Sequence, residues 1–378
     1  MSTNTPARHL LAWASWSTVL PVLADVLLIF TWGRNLAAWV VAIVALFLAG
    51  AVLAAVHHAE VVAHRVGEPF GSLVLAVAVT VIEVALIITM MTAKGAKGAA
   101  LARDTVFAAV MITCNGIAGL CLLLGSLKRG VARFNADGTT AVFSAIIALA
   151  GLTLVLPTFT TSQPGPQFNK TQLTFASLAS IAIYALFISA LTVRHRPDYL
   201  PVEGDEDGAG DRLPEYDGPG HEGELPTVRQ TFTSLVLLLM ALVAVVGLGK
   251  GVSPTIERGV NRAGLPASVV GVVIALLVLL PESIAAVRAA RRDEVQTSLN
   301  LALGSAMASI GLTIPTIAVA STWLSTPLVL GLDASHMGLL AMTVAVGTLT
   351  FVRGRATQVQ GGVLLVLCIG YIVLAVSP

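Results

Sequence analysis

GEPFGSLVLAVAVTVIEVALIITMM, residues 67–91, is an apolar run long enough to cross a bilayer as a helix, with one acid near its middle. Between Glu68 and Lys94 lie 25 residues, and Glu83 is the only charged one. A carboxylate in hydrocarbon costs about 2.5 to 3.5 kcal/mol on insertion scales, so it normally faces a wet cavity or a partner inside a helix bundle. The pattern recurs two hundred residues on. Between Arg262 and Arg288 another 25 residues contain only Glu282, within GLPASVVGVVIALLVLLPESIAAV. The two lone acids are expected to share one cation site.

Composition agrees with a membrane setting. With 56% hydrophobic and 11% charged residues in 378, the chain is far from a soluble globular average, and the expected class is an all-α polytopic membrane protein. A formal net charge of +1, with basic residues in short clusters between apolar runs, gives no reason to expect a nucleic-acid partner. Cys114, Cys121 and Cys368 all lie inside apolar runs and form no CxxC, so they read as small core residues rather than a redox or zinc site. No cofactor is expected. The N-terminus has a basic residue and an apolar run without a cleavage site, and reads as the first span.

Runs bounded by charge, Gly or Pro predict about eleven transmembrane helices. The uncharged stretch from Val295 to Leu332 leaves room for one span plus a broken or re-entrant piece near Pro315 and Pro327. Alternating sides across eleven spans puts 14 of the 22 Lys and Arg on the side of the N-terminus, which the positive-inside rule makes cytoplasmic, with the C-terminus outside. The expected location is a cytoplasmic (inner) membrane. Residues 194–229, with five prolines and ten of the 21 acidic residues, read as a flexible acidic linker on the cytoplasmic side. Its EGDEDG has the look of a calcium loop, but Pro214 stands where the bidentate Glu should be.

The linker divides the chain after six spans and leaves five behind it. Setting aside residues 1–33 as a leading helix, two five-helix repeats remain, 34–193 and 230–378, and an odd-numbered unit repeated in tandem inserts upside down the second time. In each half the second span carries the lone acid. The third carries a small polar patch with glycine, TCNGIAGL from Thr113 and GSAMASIGL from Gly304.

These blocks, GEPFGSLVLAVAVTVIEVALI and LLPESIAAVRAARRDEVQTSLNLALGSAMASIGLTIP, resemble the two alpha-repeats of the calcium/cation antiporter superfamily, closest to bacterial calcium/proton antiporters of the ChaA type. The resemblance covers most of the chain. It implies one leading helix followed by two inverted five-helix repeats, and it implies that Glu83 and Glu282 carry calcium and protons in alternation. Members of that type are associated with sodium and potassium as well. The fuller GNxxE pattern of the wider superfamily is not present here, so detailed ligand geometry does not carry over.

Two facing glutamates can neutralise one divalent ion, and once it leaves they cannot both stay ionised in a dry cavity, so protons replace it. A structural carboxylate bonded between helices is the plainer reading of each. Calcium takes six to eight oxygens, so secondary ligands are needed, and the candidates are Thr80, Asn115, Ser283, Ser305 and Ser309. Each could instead bond to backbone or permit close packing. Pro281 either exposes a carbonyl one turn earlier or simply kinks its helix. His57, His58, Glu60, His64 and Glu68 cluster at the cytoplasmic end of the second span, where a solvated rim competes with an access path through His57, Glu60 and Glu68. Asp25 reads as a bundle-facing structural acid. The leading expectation is calcium/proton exchange by alternating access. Sodium or potassium/proton antiport at the same acids is the alternative, and an intramembrane metalloenzyme at His57 and His64 or a passive channel stands further off. Transported ions and the lipid bilayer are the expected partners, with the oligomeric state open.

Overall fold

The computed structural model describes residues 16–34, 38–67, 70–191, 196–199, 226–262, 264–266, 268–323 and 327–377. Apart from one pair of short strands it is helical. In chain order the helices are α1 (Trp16–Thr31), α2 (Ala38–Val66), α3 (Phe70–Lys94), α4 (Leu101–Met111), α5 (Ala118–Arg129), α6 (Ala136–Ala150), α7 (Leu156–Phe159), α8 (Lys170–Ser189), α9 (Val228–Arg262), α10 (Ser268–Val278), α11 (Leu280–Arg291), α12 (Val295–Ala308), α13 (Ile314–Ala320), α14 (Ala334–Phe351) and α15 (Gln358–Val376). Segments of π-helix join α4 to α5 (Ile112–Ile117), α6 to α7 (Gly151–Val155) and α12 to α13 (Ser309–Thr313), so each of these pairs is one continuous passage. Among the described residues nine helical passages are long and apolar enough to cross a membrane. The bent pair α10–α11 makes a tenth, and α1, at 16 residues, is a shorter apolar helix, so the count is roughly that expected.

Helix ends follow local chemistry. Asn169 and Thr357 each form a capping box with the Gln three residues on. Gly130 closes α5 at φ +75°, a left-handed position glycine takes at no steric cost. Strands β1 (Val131–Arg133) and β2 (Arg355–Thr357) pair antiparallel, Ala132 against Ala356, which puts the ends of α5 and α14 on one side of the molecule. On the opposite side Arg103 bridges Asp104 at 2.7 Å and donates to the Gly331 carbonyl at 3.0 Å.

After α12 the sequence leaves room for a broken or re-entrant piece near Pro315 and Pro327, and the structure has its break past α13 rather than at Pro315. The passage runs straight on through the π segment, and Pro315 follows directly on that wider turn, so the proline does not end the passage. Past it, residues 327–333 are not helical. They form a strap whose backbone is satisfied by Ala99, Leu154 and Pro166, and which buries Leu330 and Leu332.

Two packed cores result. One gathers buried faces of α1, α2, α3, α9 and α10, and the other those of α4 to α6, α11, α12, α14 and α15. Outward positions such as Ile29, Leu46 and Val366 are large, apolar and exposed, as lipid contact requires.

Candidate functional site

Between the two cores lies a cavity of about 310 Å³ whose lining includes both lone acids, Glu83 and Glu282. Glu83, on α3, is 4% exposed, and each of its oxygens has a donor from the second half of the chain. Ser309 Oγ donates to Oε1 at 2.7 Å and Thr313 Oγ1 to Oε2 at 2.9 Å. Both donors belong to the π segment Ser309–Thr313, which turns the two hydroxyls toward the same carboxylate. π-bulges of this kind are frequent at functional sites.

Glu282 is held differently. Pro281 has no N–H to give to the Leu277 carbonyl, and α10 and α11 meet at a 55° bend. Glu282 therefore lies in the first turn of a new helix, whose dipole favours an anion at that end. Its Oε2 is buried without a partner. Glu60 and Glu83 are both close enough to repel a charge on Glu282.

Of the expected secondary ligands, Thr80, Ser305 and Ser309 line the cavity, although the Thr80 hydroxyl donates to Ala76 O at 2.8 Å. Asn115 and Ser283 do not line it. Asn115 donates to Thr343 Oγ1 at 3.0 Å, a long-range pairing that turns it toward α14, and Ser283 donates back to Leu279 O at 2.6 Å. His57 also lies off the cavity, its ring against Trp16 and His58, while His58 Nε2 sits 2.9 Å from the Ser17 carbonyl and ties α2 to α1. Glu60 is exposed on α2, and Glu68 falls outside the described residues. His64 is exposed, and among the described residues no three His, Cys, Asp or Glu side chains come together as a metal cage, so the His57/His64 metalloenzyme reading has no geometry behind it. Asp25 keeps one buried oxygen without a partner.

The sequence reading missed Thr313, which holds Glu83, and Thr297, Asn300, Tyr184 and Tyr199, which line the cavity. A signal existed for three of them. Thr297, Asn300, Ser305 and Ser309 fall at helical spacing on one face, and Thr313 is one turn beyond.

The lining has a direction. From Glu83 and Ser309 it runs toward the start of α3 (Leu75), the end of α8 (Ile188) and Leu191 just past it, the start of α12 (Thr297, Asn300) and Tyr199. These are the ends nearest the linker, and no residue of α3 beyond Glu83 or of the α12–α13 passage beyond Ser309 takes part. The cavity thus reaches from the acids to the linker side.

Comparison with known proteins gives concordant results. The profile of a family described as "Sodium/calcium exchanger protein" matches residues 36–193 and 233–377. The chain is 41% identical over 366 residues, 96% of each protein, to one named as an ionic transporter, y4hA, in Sinorhizobium fredii. It is 33% identical over 360 residues, 94% of each, to the sodium-potassium/proton antiporter ChaA of Escherichia coli. Its fold is similar to that of the crystal structure of the H+/Ca2+ exchanger CAX, with a TM-score of 0.65 at 18% identity over 97% of this chain and 88% of the other.

Proposed function

We propose, from the premise that this chain belongs to the sodium/calcium exchanger protein family, that it is a secondary transporter exchanging calcium for protons at Glu83 and Glu282. Members of that family are membrane cation exchangers and not enzymes, so what is proposed is the ion and the residues that carry it.

One observation carries the reading: two carboxylates from opposite halves of the chain line one buried cavity, and an oxygen of one is left without a partner. A cation bridging them would satisfy that oxygen and remove the repulsion between the acids. With the cation gone, protons do the same. Ser305, Ser309, Thr80 and water supply further oxygens of the kind calcium takes. Of the expected access path through His57, Glu60 and Glu68, Glu60 is exposed and near enough to Glu282 to act on its charge, which supports its part in that path.

Alternating access would come from residues 34–193 and 230–378 acting as inverted repeats. Two contacts support this. Gly119, in the third span of the first, packs on the fifth span of the second at Gly361 and Leu364, and Gly311, in the third span of the second, packs on Tyr184 in the fifth span of the first. In the inner membrane of a bacterium the linker side would be cytoplasmic, as the distribution of Lys and Arg favours. A second reading, sodium or potassium against protons at the same acids, is favoured by the ChaA relative.

Purified protein in liposomes with an internal pH dye tests the choice. Calcium should drive proton movement more strongly than sodium or potassium, and Glu83→Gln and Glu282→Gln should each stop it. Near-normal exchange in either variant would remove the paired site.

A further inference from the structure

Among the described residues every wall of the cavity belongs to a membrane-crossing helical passage except one. The exception is the single 3-10 turn Arg196–Tyr199, which follows α8 and closes part of the linker-side end. Tyr199 is 7% exposed, its ring lies edge-on to Phe187 at 6.4 Å between centroids, and both residues line the cavity. From the cavity wall Asn300 Nδ2 donates to the Tyr199 carbonyl at 2.8 Å. Asn300 is aimed by Gln296, whose Nε2 donates to Asn300 Oδ1 at 2.9 Å, and whose own Oε1 accepts from the Asn135 backbone at 2.6 Å. Asn135 is the N-cap of α6. On the other flank the Asp198 carbonyl sits directly over Gly138, where a Cβ would collide with it.

We propose that the turn Arg196–Tyr199 is the linker-side gate of the cavity and that Asn300 is its latch. The inference rests on the transport reading and deepens it by naming what controls access to the acids. A four-residue turn can swing away without breaking a helix, and Asn300 holds its carbonyl by one amide bond, of a kind whose net strength is commonly about 0.5 to 1.5 kcal/mol. The turn is wedged between α6 of the first half and α12 of the second, the elements whose relative movement would open or close that end. Rocking that separates Gly138 from Asn300 removes both supports together. The gate then follows the repeats without a device of its own.

A thiol placed inside the cavity reads the gate directly. Ser305→Cys puts one there, and because Cys114, Cys121 and Cys368 are all buried, the chain without the substitution supplies the baseline. In sealed vesicles oriented with the linker outward, labelling of residue 305 by a membrane-impermeant thiol reagent should run about 3- to 10-fold faster when Asn300→Ala is added, the range expected for loss of one such bond. Gly138→Ala, which displaces the turn from its other side, should do the same and guards against a folding defect of the first variant. Equal rates with the latch intact and with it removed, in variants that keep the parent melting temperature, overturn the gate while leaving the carboxylate site standing. No labelling in any background overturns the gate and the linker-facing cavity together. Loss of exchange in Glu83→Gln is read independently of all three.

Discussion

Gly119 of α5 and Gly361 of α15 meet backbone to backbone: a Cβ on Gly119 would lie 3.0 Å from the Gly361 carbonyl oxygen, and one on Gly361 would lie 2.9 Å from that of Gly119. Small residues permit this approach between membrane helices, which gain from van der Waals packing rather than from burial away from water. Gly361→Ala should therefore destabilise, by about 1 to 3 kcal/mol as overpacking commonly does, despite the better helix propensity of alanine. Gly362, next to it with nothing within 4 Å, is the control. Thermal unfolding in detergent should show a lower midpoint for Gly361→Ala and an equal or higher one for Gly362→Ala; a matched response of both would mean the close approach contributes nothing.

Ser309 and Thr313 reach the same carboxylate from one π segment, so each is expected to fix a different oxygen of Glu83. Removing one hydroxyl by Thr313→Val forfeits a bond to a charged group, about 1.5 to 3 kcal/mol, or roughly tenfold and upward in an equilibrium constant. The half-saturating calcium concentration for exchange should rise by about that factor, and Ser283→Ala, whose hydroxyl only returns to its own helix, should leave it within about twofold. An unchanged half-saturation in Thr313→Val would show that orientation of Glu83 does not depend on this donor.

Much of the arrangement could be read from the chain because its causes are local or periodic. A lone acid in each of two 25-residue uncharged runs marks the site, since hydrocarbon leaves such an acid few other places. The number of passages follows from length and charge alone. What composition does not show depends on tertiary pairing: the Asn115 side chain donates to Thr343, 228 residues away, and does not line the cavity, although its carbonyl oxygen is left without a partner. Tyr199 looked like the start of the acidic linker because nothing in composition shows that Asn300 would hold its carbonyl. Pro315 suggested a break because the sequence does not reveal that a π segment ends and a new helical turn begins just there.

Asp333 caps α14 by accepting from the His336 backbone N–H at 2.9 Å, and its second oxygen lies 2.6 Å from the His336 ring. Partial burial would raise this carboxyl, but the Ser335 hydroxyl and the His336 backbone and ring outweigh it and hold the group down at about 2. A depressed native value means the stabilisation is in force above the ordinary carboxylate range, near 3.9, and is lost as the pH falls toward 2. Asp333→Ala should cost about 1 kcal/mol in unfolding experiments at neutral pH, whereas Asp333→Asn, which still caps, should cost less. Equal losses would assign the effect to charge rather than to capping.

Exchange by competition has a kinetic signature that coupling between separate sites lacks. If calcium and protons use the same oxygens of Glu83 and Glu282, protons on the linker side must act as competitive inhibitors of calcium loading from that side. Lowering the pH there should raise the half-saturating calcium concentration without lowering the maximal initial rate. Where the empty site is protonated, linkage sets the slope at about tenfold per pH unit for each proton displaced, so a pair of carboxylates releasing both protons would approach a hundredfold. Calcium uptake into oriented vesicles at a series of external pH values measures the slope directly. Glu83→Gln leaves one titrating acid in the cavity, and any residual calcium binding, followed by isothermal titration, should show the slope reduced to that of one proton. A maximal rate that falls with pH while half-saturation stays constant would place the proton on groups other than these two.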